Sequence, residues 1–130
     1  MTPILGKLAE PIYDLMRIVV GLMFAFDGVT KLRAVFGAGN MEFSRFLAAG
    51  IVETVCGSLV VLGLFTSLAA LVAAAEMAVA YLWIHLPTFT PILGRGKLAA
   101  LYCVAFLYIA ARGAGRFSLD KALWPAAKAA

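Results

Sequence analysis

The chain has 130 residues, of which 64% are apolar and 14% are charged, and its mean hydropathy is +0.98. This length leaves room for one domain, and a water-soluble fold of this size could not bury so much apolar surface. The 11 Lys and Arg residues outnumber the 7 Asp and Glu residues, but they lie at the ends of apolar runs and form no basic stripe, which excludes a nucleic-acid partner. The composition therefore predicts an integral membrane protein in contact with the lipid bilayer.

Four apolar runs approach the length of about 20 residues that a helix needs to cross hydrocarbon about 30 Å thick. They cover residues 13–32, 46–65, 67–86 and 98–113. Residues 1–10 lack the features of a cleaved signal peptide, so the first run is expected to remain as a membrane anchor. Because short links make neighbouring helices antiparallel, the sequence predicts an all-α, integral membrane four-helix bundle. It forms a single transmembrane domain over residues 1–130, with both termini on one side.

Ionisable residues inside the runs need a partner or a function, because a charge in hydrocarbon costs several kcal/mol. Six positions share this property: Arg17, Asp27, Lys31, Glu53, Glu76 and His85. On an ideal helix His85 would lie on the face opposite Glu76, and it shortly precedes a proline. Both features favour a residue at the membrane interface over a member of the Glu76 site.

The three acids are expected to share one pocket. Asp27 and Lys31 are four residues apart and lie on one helix face, with Gly21 and Gly28 nearby to let another helix approach. Glu53 lies on one face with Gly50 and Gly57, and Glu76 lies among alanines, so each acid stands in a stripe of small residues that a neighbouring helix can approach closely. The helix rise places Asp27, Glu53 and Glu76 about 8, 10 and 15 Å from the loop-side ends of their spans. Lys31 and Lys97 lie nearer the rim. The sequence thus predicts a polar pocket that faces one side of the membrane.

Two interpretations of this pocket stay open. In the first, the acids are bonded to neighbouring groups and only fix helix register. In the second, Glu53 and Glu76 are unpaired catalytic groups that transfer protons to a reducible ligand or line an ion path. The candidate ligand-binding residues are then Asp27, Lys31, His85 and Lys97.

No signature of a bound cofactor is visible in the sequence. There is no glycine-rich nucleotide fingerprint and only one histidine, while Cys56 and Cys103 are far apart within apolar runs. A metal site, a flavin, a haem and an iron–sulfur cluster are therefore not expected, and a quinone is the cofactor that stays open.

An ordered set of sequence pieces between residues 17 and 120 resembles the DoxX family. The pieces are Arg17-Ile-Val-Val-Gly21, Gly28-Val-Thr-Lys31, Glu53 followed by Gly57 and Gly63, Glu76-Met-Ala-Val-Ala-Tyr81, His85, Leu98-Ala-Ala-Leu-Tyr102 and Gly113-Ala-Gly-Arg-Phe-Ser-Leu-Asp120. The resemblance implies a small four-helix protein of the bacterial inner membrane. The basic residues on the two sides of the membrane nearly balance, so their count does not orient the chain. The family resemblance favours cytoplasmic termini.

The family resemblance also suggests a function, because DoxX members include small membrane subunits of thiosulfate:quinone oxidoreductase. The leading hypothesis is a membrane subunit of a redox system, working with a soluble redox partner, that binds a quinone-like or small sulfur-compound ligand in the acid-lined pocket. Whether the chain is itself an oxidoreductase subunit with enzymatic activity stays open. One alternative is a small-solute or ion transporter or channel formed by homo-oligomers, and another is a non-catalytic membrane anchor of a soluble oxidoreductase.

Two departures from the family pattern concern charge. Asp27 stands where many members carry histidine, and Arg95-Gly96-Lys97 stands where a Gly-Gly-Glu opens the fourth helix. A mechanism that requires a histidine at position 27 is thereby excluded. If the first and fourth helices meet at this end, Asp27 is expected to bond to Lys31 or Lys97.

Overall fold

The computed structural model describes residues 3–37, 45–82, 95–116 and 118–123, with only the backbone at residues 45, 46 and 95–97. These residues form helices and no strand, which confirms the predicted all-α class. In chain order they are a 3-10 turn Gly6–Leu8, α1 Ala9–Gly37, α2 Arg45–Leu62, α3 Thr66–Ala80, α4 Arg95–Arg112 and α5 Leu119–Leu123.

The first helix is longer than its apolar run. It begins before residue 13 and ends after residue 32, because Glu10 and Arg33 are good helix formers that end an apolar run without ending a helix. The third helix ends at Ala80, short of the predicted residue 86. Residues 81 and 82 form a π-helical end, and residues 83–86 lie outside the described residues. Across the described ranges, no helix is at once long enough and apolar enough to pass through a membrane.

The fifth helix was not predicted, because it is too short to carry a periodic pattern. Its start does carry a local signal: Ser118 precedes the helix, and its hydroxyl accepts a hydrogen bond from the backbone N–H of Lys121 at 3.2 Å. This is the geometry of a serine N-cap, with Asp120 adding an acidic residue to the first turn.

Helices α1 and α2 pack backbone against backbone through glycines. A Cβ atom on Gly28 would lie 2.5 Å from the amide nitrogen of Thr54, and one on Gly57 would lie 2.5 Å from that of Ala25. Gly21 meets the Gly57 end of α2 and Gly28 meets the Gly50 end, so the two helices run antiparallel. The close approach that the sequence predicted for these glycines is present.

Aromatic rings join α1 to α4. The ring of Phe24 lies edge-on to Phe106 and Tyr102, with centroid distances of 4.7 and 5.2 Å. Phe24, Phe106, Val60 and Ile109 are completely buried, and small buried residues of α3, such as Ala73, pack against the same core. Large rings thus fill the space between α1 and α4, whereas glycines bring α1 and α2 into close contact.

The turn between α2 and α3 is held by opposite charges at two helix ends. Buried Arg17 donates from Nη1 to the carbonyl oxygens of Val60 and Val61 at 2.5 and 3.0 Å, at the carboxyl end of α2. The carboxylate of Asp120 accepts from the backbone N–H groups of Phe65 and Thr66 at 2.8 and 2.9 Å, at the amino end of α3. Each charge matches the helix dipole that it meets.

Candidate functional site

The centre of the site is an ion pair between the first two helices. Lys31 on α1 donates from Nζ to Oε1 of Glu53 on α2 at 2.6 Å, and the two side chains are 24% and 2% exposed. The close glycine packing beside them brings the two helices near enough for this contact. Of the two interpretations that the sequence left open, the bonded one therefore holds for Oε1 of Glu53, because the ammonium group reaches across to α2.

Asp27 finds its partner on the fourth helix. The hydroxyl group of Tyr102 donates to Oδ2 of Asp27 at 3.2 Å. Tyr102 is buried, and its ring packs against Phe24 and Phe106, so the hydroxyl is held in place. We expected Lys31 or Lys97 to bind Asp27. The structure shows a tyrosine there and Lys31 bonded to Glu53, and the side chain of Lys97 lies outside the described residues.

Glu76 on α3 completes the group of acids. Its carboxyl lies near enough to Glu53 and Lys31 for their charges to interact. Oε2 of Glu76 and Oε2 of Glu53 are both buried and have no hydrogen-bond partner among the described residues. All four long helices thus contribute to one site: α1 with Asp27 and Lys31, α2 with Glu53, α3 with Glu76 and α4 with Tyr102.

The site is rich in acceptors and poor in donors. Its described part holds the carboxyl groups of Asp27, Glu53 and Glu76 against the ammonium of Lys31 and the hydroxyl of Tyr102. A buried carboxylate without a donor is costly, so such a site gains from binding protons or a ligand that supplies hydroxyl or N–H groups. This is the chemical property that the arrangement offers.

An apolar layer separates this site from the opposite end of the molecule. Along α1, Phe24 lies between Asp27 and Arg17, and along α2, Val60 lies between Glu53 and the carboxyl end of the helix. Phe106 and Ile109 occupy the same interval on α4, and all four side chains are completely buried. Within the described residues, the interior is therefore polar at both ends and apolar between them.

The polar group beyond this layer contains Asp14, which the sequence analysis missed because it stands at the edge of the first apolar run. Asp14 is buried, its carboxylate packs against Gly115, and its charge interacts with that of Arg17. Neither oxygen of Asp14 has a hydrogen-bond partner among the described residues. Arg17, which the sequence analysis singled out as an ionisable residue in an apolar run, donates hydrogen bonds to carbonyl oxygens at the carboxyl end of α2.

Two of the predicted ligand-binding side chains, those of His85 and Lys97, lie outside the described residues. Cys56 and Cys103 are both free thiols. In the part of the chain with defined side chains, no three His, Cys, Asp or Glu residues come together in a way that would hold a metal ion. The sequence analysis gave Tyr102 no role in the site, although a tyrosine within an apolar run needs a partner for its hydroxyl, and this signal could have identified it.

Comparison with known proteins establishes the relationship. The sequence model of the DoxX family matches residues 12–86. The chain belongs to the DoxX family. This DoxX protein is 40% identical over 114 residues to an uncharacterized protein of Haemophilus influenzae, a match that covers 81% of this chain and 85% of the relative. It is 34% identical over 130 residues to an uncharacterized membrane protein of Mycobacterium tuberculosis, covering 83% and 78% of the two chains. No solved structure matches this DoxX protein.

Proposed function

We propose that this DoxX protein is a small multi-pass subunit of a redox system in the bacterial inner membrane, with cytoplasmic termini. In this proposal the site formed by Asp27, Lys31, Glu53, Glu76 and Tyr102 binds a quinone-like ligand, and the two glutamates handle its protons. The observation that carries the proposal is the pair of buried carboxylate oxygens, Glu53 Oε2 and Glu76 Oε2, that have no donor among the described residues.

Membrane insertion is supported by the distribution of polar and apolar side chains. Large apolar residues are exposed on the outside of the long helices, including Phe26 on α1, Val55 on α2, Leu68 on α3 and Leu101 on α4. The charged groups of Glu53 and Arg17 are buried inside. Apolar outside and ionisable inside is the arrangement that lipid favours and water does not. The M. tuberculosis relative is itself named a membrane protein.

The chemistry of the site favours a neutral ligand with paired oxygen atoms. Among the described side chains, a small sulfur anion would meet three carboxyl groups and one ammonium, an unfavourable field for negative charge. A quinol supplies two hydroxyl donors to the two carboxylate oxygens that lack them, and a quinone carbonyl accepts from Lys31 or Tyr102. Oxidation of a quinol releases two protons and two electrons, so two nearby carboxylates suit the protons. The electrons pass to the soluble redox partner.

The apolar layer favours this function over transport through a single copy of the chain. Such transport needs a polar route from one side to the other, whereas among the described residues Phe24, Phe106 and Ile109 close the interior between the two polar ends. A site that exchanges ligand and protons with one side of the membrane needs no such route.

The test is to purify the protein in mild detergent, extract the bound small molecules and record native mass spectra. Wild-type protein is expected to carry a quinone, and Glu53→Gln and Glu76→Gln are expected to lose it while keeping their thermal stability within a few degrees. Ser58→Ala on the exposed face of α2 is the matched control and should retain the ligand. Retention of quinone in both glutamine variants would contradict the proposed proton-handling site. A copurifying soluble enzyme without quinone would instead support the role of a membrane anchor.

A further inference from the structure

An apolar groove runs along the outer surface between α3 and α4. Its volume is about 540 Å³, and its walls are formed by Leu68, Leu71, Leu107, Ala110 and Ala111, with Ser67 as the polar residue. The two alanines on α4 leave the space that larger side chains would fill. The groove is open to the outside and almost wholly apolar, which suits a hydrocarbon chain better than a polar ligand.

One end of the groove lies next to the charged end of the molecule. A Cβ atom on Gly113, just after α4, would lie 4.0 Å from Oγ of Ser67. From Gly113 the chain continues to α5, which Asp120 attaches to the first backbone amides of α3, directly before Ser67. The segment that carries Arg116 and Lys121 is therefore held beside the Ser67 end of the groove, and both side chains are exposed.

Two acidic groups at this end have partners, and the third, Asp14, is buried beside Gly115 and interacts with Arg17. Glu10 is paired with Arg112, and both carboxylate oxygens of Asp120 accept from the amides of α3. The exposed positive charges of Arg116 and Lys121 are thus not matched by an available acid near the groove in the described residues. An apolar groove that ends at a hydroxyl and two exposed cations is complementary to a lipid with an acyl chain and a negatively charged headgroup.

We propose that the α3–α4 groove binds an anionic phospholipid, with one acyl chain along Leu71 and Ala111 and the phosphate near Arg116 and Lys121. This inference rests on the membrane insertion proposed above, but it does not depend on the quinone site. It assigns the α3–α4 face to lipid, since the two cations would repel those of a second copy brought against the same surface.

The test is a titration of the detergent-purified protein with phosphatidylglycerol and with phosphatidylcholine, followed by native mass spectrometry. Wild-type protein is expected to retain phosphatidylglycerol in preference to phosphatidylcholine. Each of Arg116→Gln and Lys121→Gln should weaken phosphatidylglycerol binding about fivefold, the contribution of one basic residue near an anionic lipid surface, and the double variant should lose the preference. Ala111→Trp fills the groove and should weaken the binding of both lipids.

The matched control is Lys7→Gln, because Lys7 is an exposed cation on the turn that leads into α1 and does not line the groove. It should bind both lipids as wild type does. Equal loss in Lys7→Gln and Lys121→Gln would overturn the proposal, since it would reflect overall charge alone. A dimer that Ala111→Trp disrupts would assign the groove to a second copy and would also overturn it. Carbonate extraction of membranes is done in parallel: release of the protein counts against membrane insertion, whereas retention without lipid preference counts against the groove alone.

Discussion

Lys31 and Glu53 are joined across α1 and α2 at 2.6 Å, and Glu53 is almost completely buried in this pair. Removing the ammonium leaves a buried carboxylate without its cation. We expect Lys31→Met to destabilise the protein by at least about 2 kcal/mol. Thermal aggregation in detergent would measure this as a lower midpoint.

The control for this prediction is a double-mutant cycle. Glu53→Gln in the Lys31→Met background removes the uncompensated charge and should recover part of the loss, so the two changes will not be additive. Thr30→Ala, next to Lys31 and exposed, should change stability by less than about 0.5 kcal/mol. Additive effects of the two site substitutions would mean that the pair is not coupled.

Tyr102→Phe removes the hydroxyl that donates to Asp27 and leaves the ring packing intact. A hydrogen bond to a charged acceptor contributes about 1.5–3 kcal/mol, so a clear loss of thermal stability is expected. Tyr108→Phe is the matched control, because Tyr108 is half exposed and its hydroxyl bonds to Arg112 at the surface. In an Asp27→Asn background, Tyr102→Phe should cost much less. A full loss there would place the role of the hydroxyl elsewhere.

Gly28→Ala tests the close packing of α1 on α2. The added methyl group would lie 2.5 Å from the backbone nitrogen of Thr54, so the helices must separate, at a cost of about 1–3 kcal/mol. Gly37→Ala is the control at the end of the same helix, where an added Cβ atom meets nothing within 4 Å. It should leave stability unchanged or raise it slightly. Equal midpoints for the two variants, measured side by side, would argue against glycine-mediated packing.

Asp120→Ala removes both hydrogen bonds to the start of α3 and should cost about 1–2 kcal/mol, as loss of a helix cap does. Because the same carboxylate holds α5 to the α2–α3 turn, limited trypsin digestion should cut faster at Arg116 in this variant. Asp120→Asn keeps one acceptor oxygen and should lie between wild type and Asp120→Ala. Unchanged cleavage in Asp120→Ala would show that α5 is held by other contacts.

The presence of the long helices and the packing of their glycines against a neighbouring helix could be predicted from the sequence, because both depend on the pattern of residues within one segment. An apolar run with glycines at helical spacing predicts a helix with one closely packed face, and Gly21, Gly28 and Gly57 do lie at the α1–α2 contact. Membrane insertion and the ligand stay predictions.

The ends of the elements and the short α5 were not predictable from apolar runs. Residues such as Glu10 and Arg33 continue α1 beyond the hydrophobic segment, since helix formation depends on backbone preference as well as on hydropathy. The contacts of Asp14 and Asp120 depend on the segment after α4. This segment places Gly115 against Asp14 and brings α5 back over the α2–α3 link.

By itself, the sequence determined that the chain is helical and that Asp27, Lys31, Glu53 and Glu76 fall within apolar runs, because helical periodicity and composition are properties of a single chain segment. Only the tertiary structure decided which of these groups meet. The sequence predicted that Asp27 bonds to Lys31 or Lys97. In the described part of the chain, Lys31 bonds to Glu53 and Tyr102 donates to Asp27. The choice depends on the rotation and separation of neighbouring helices. The glycines set these between α1 and α2, and the aromatic rings set them between α1 and α4.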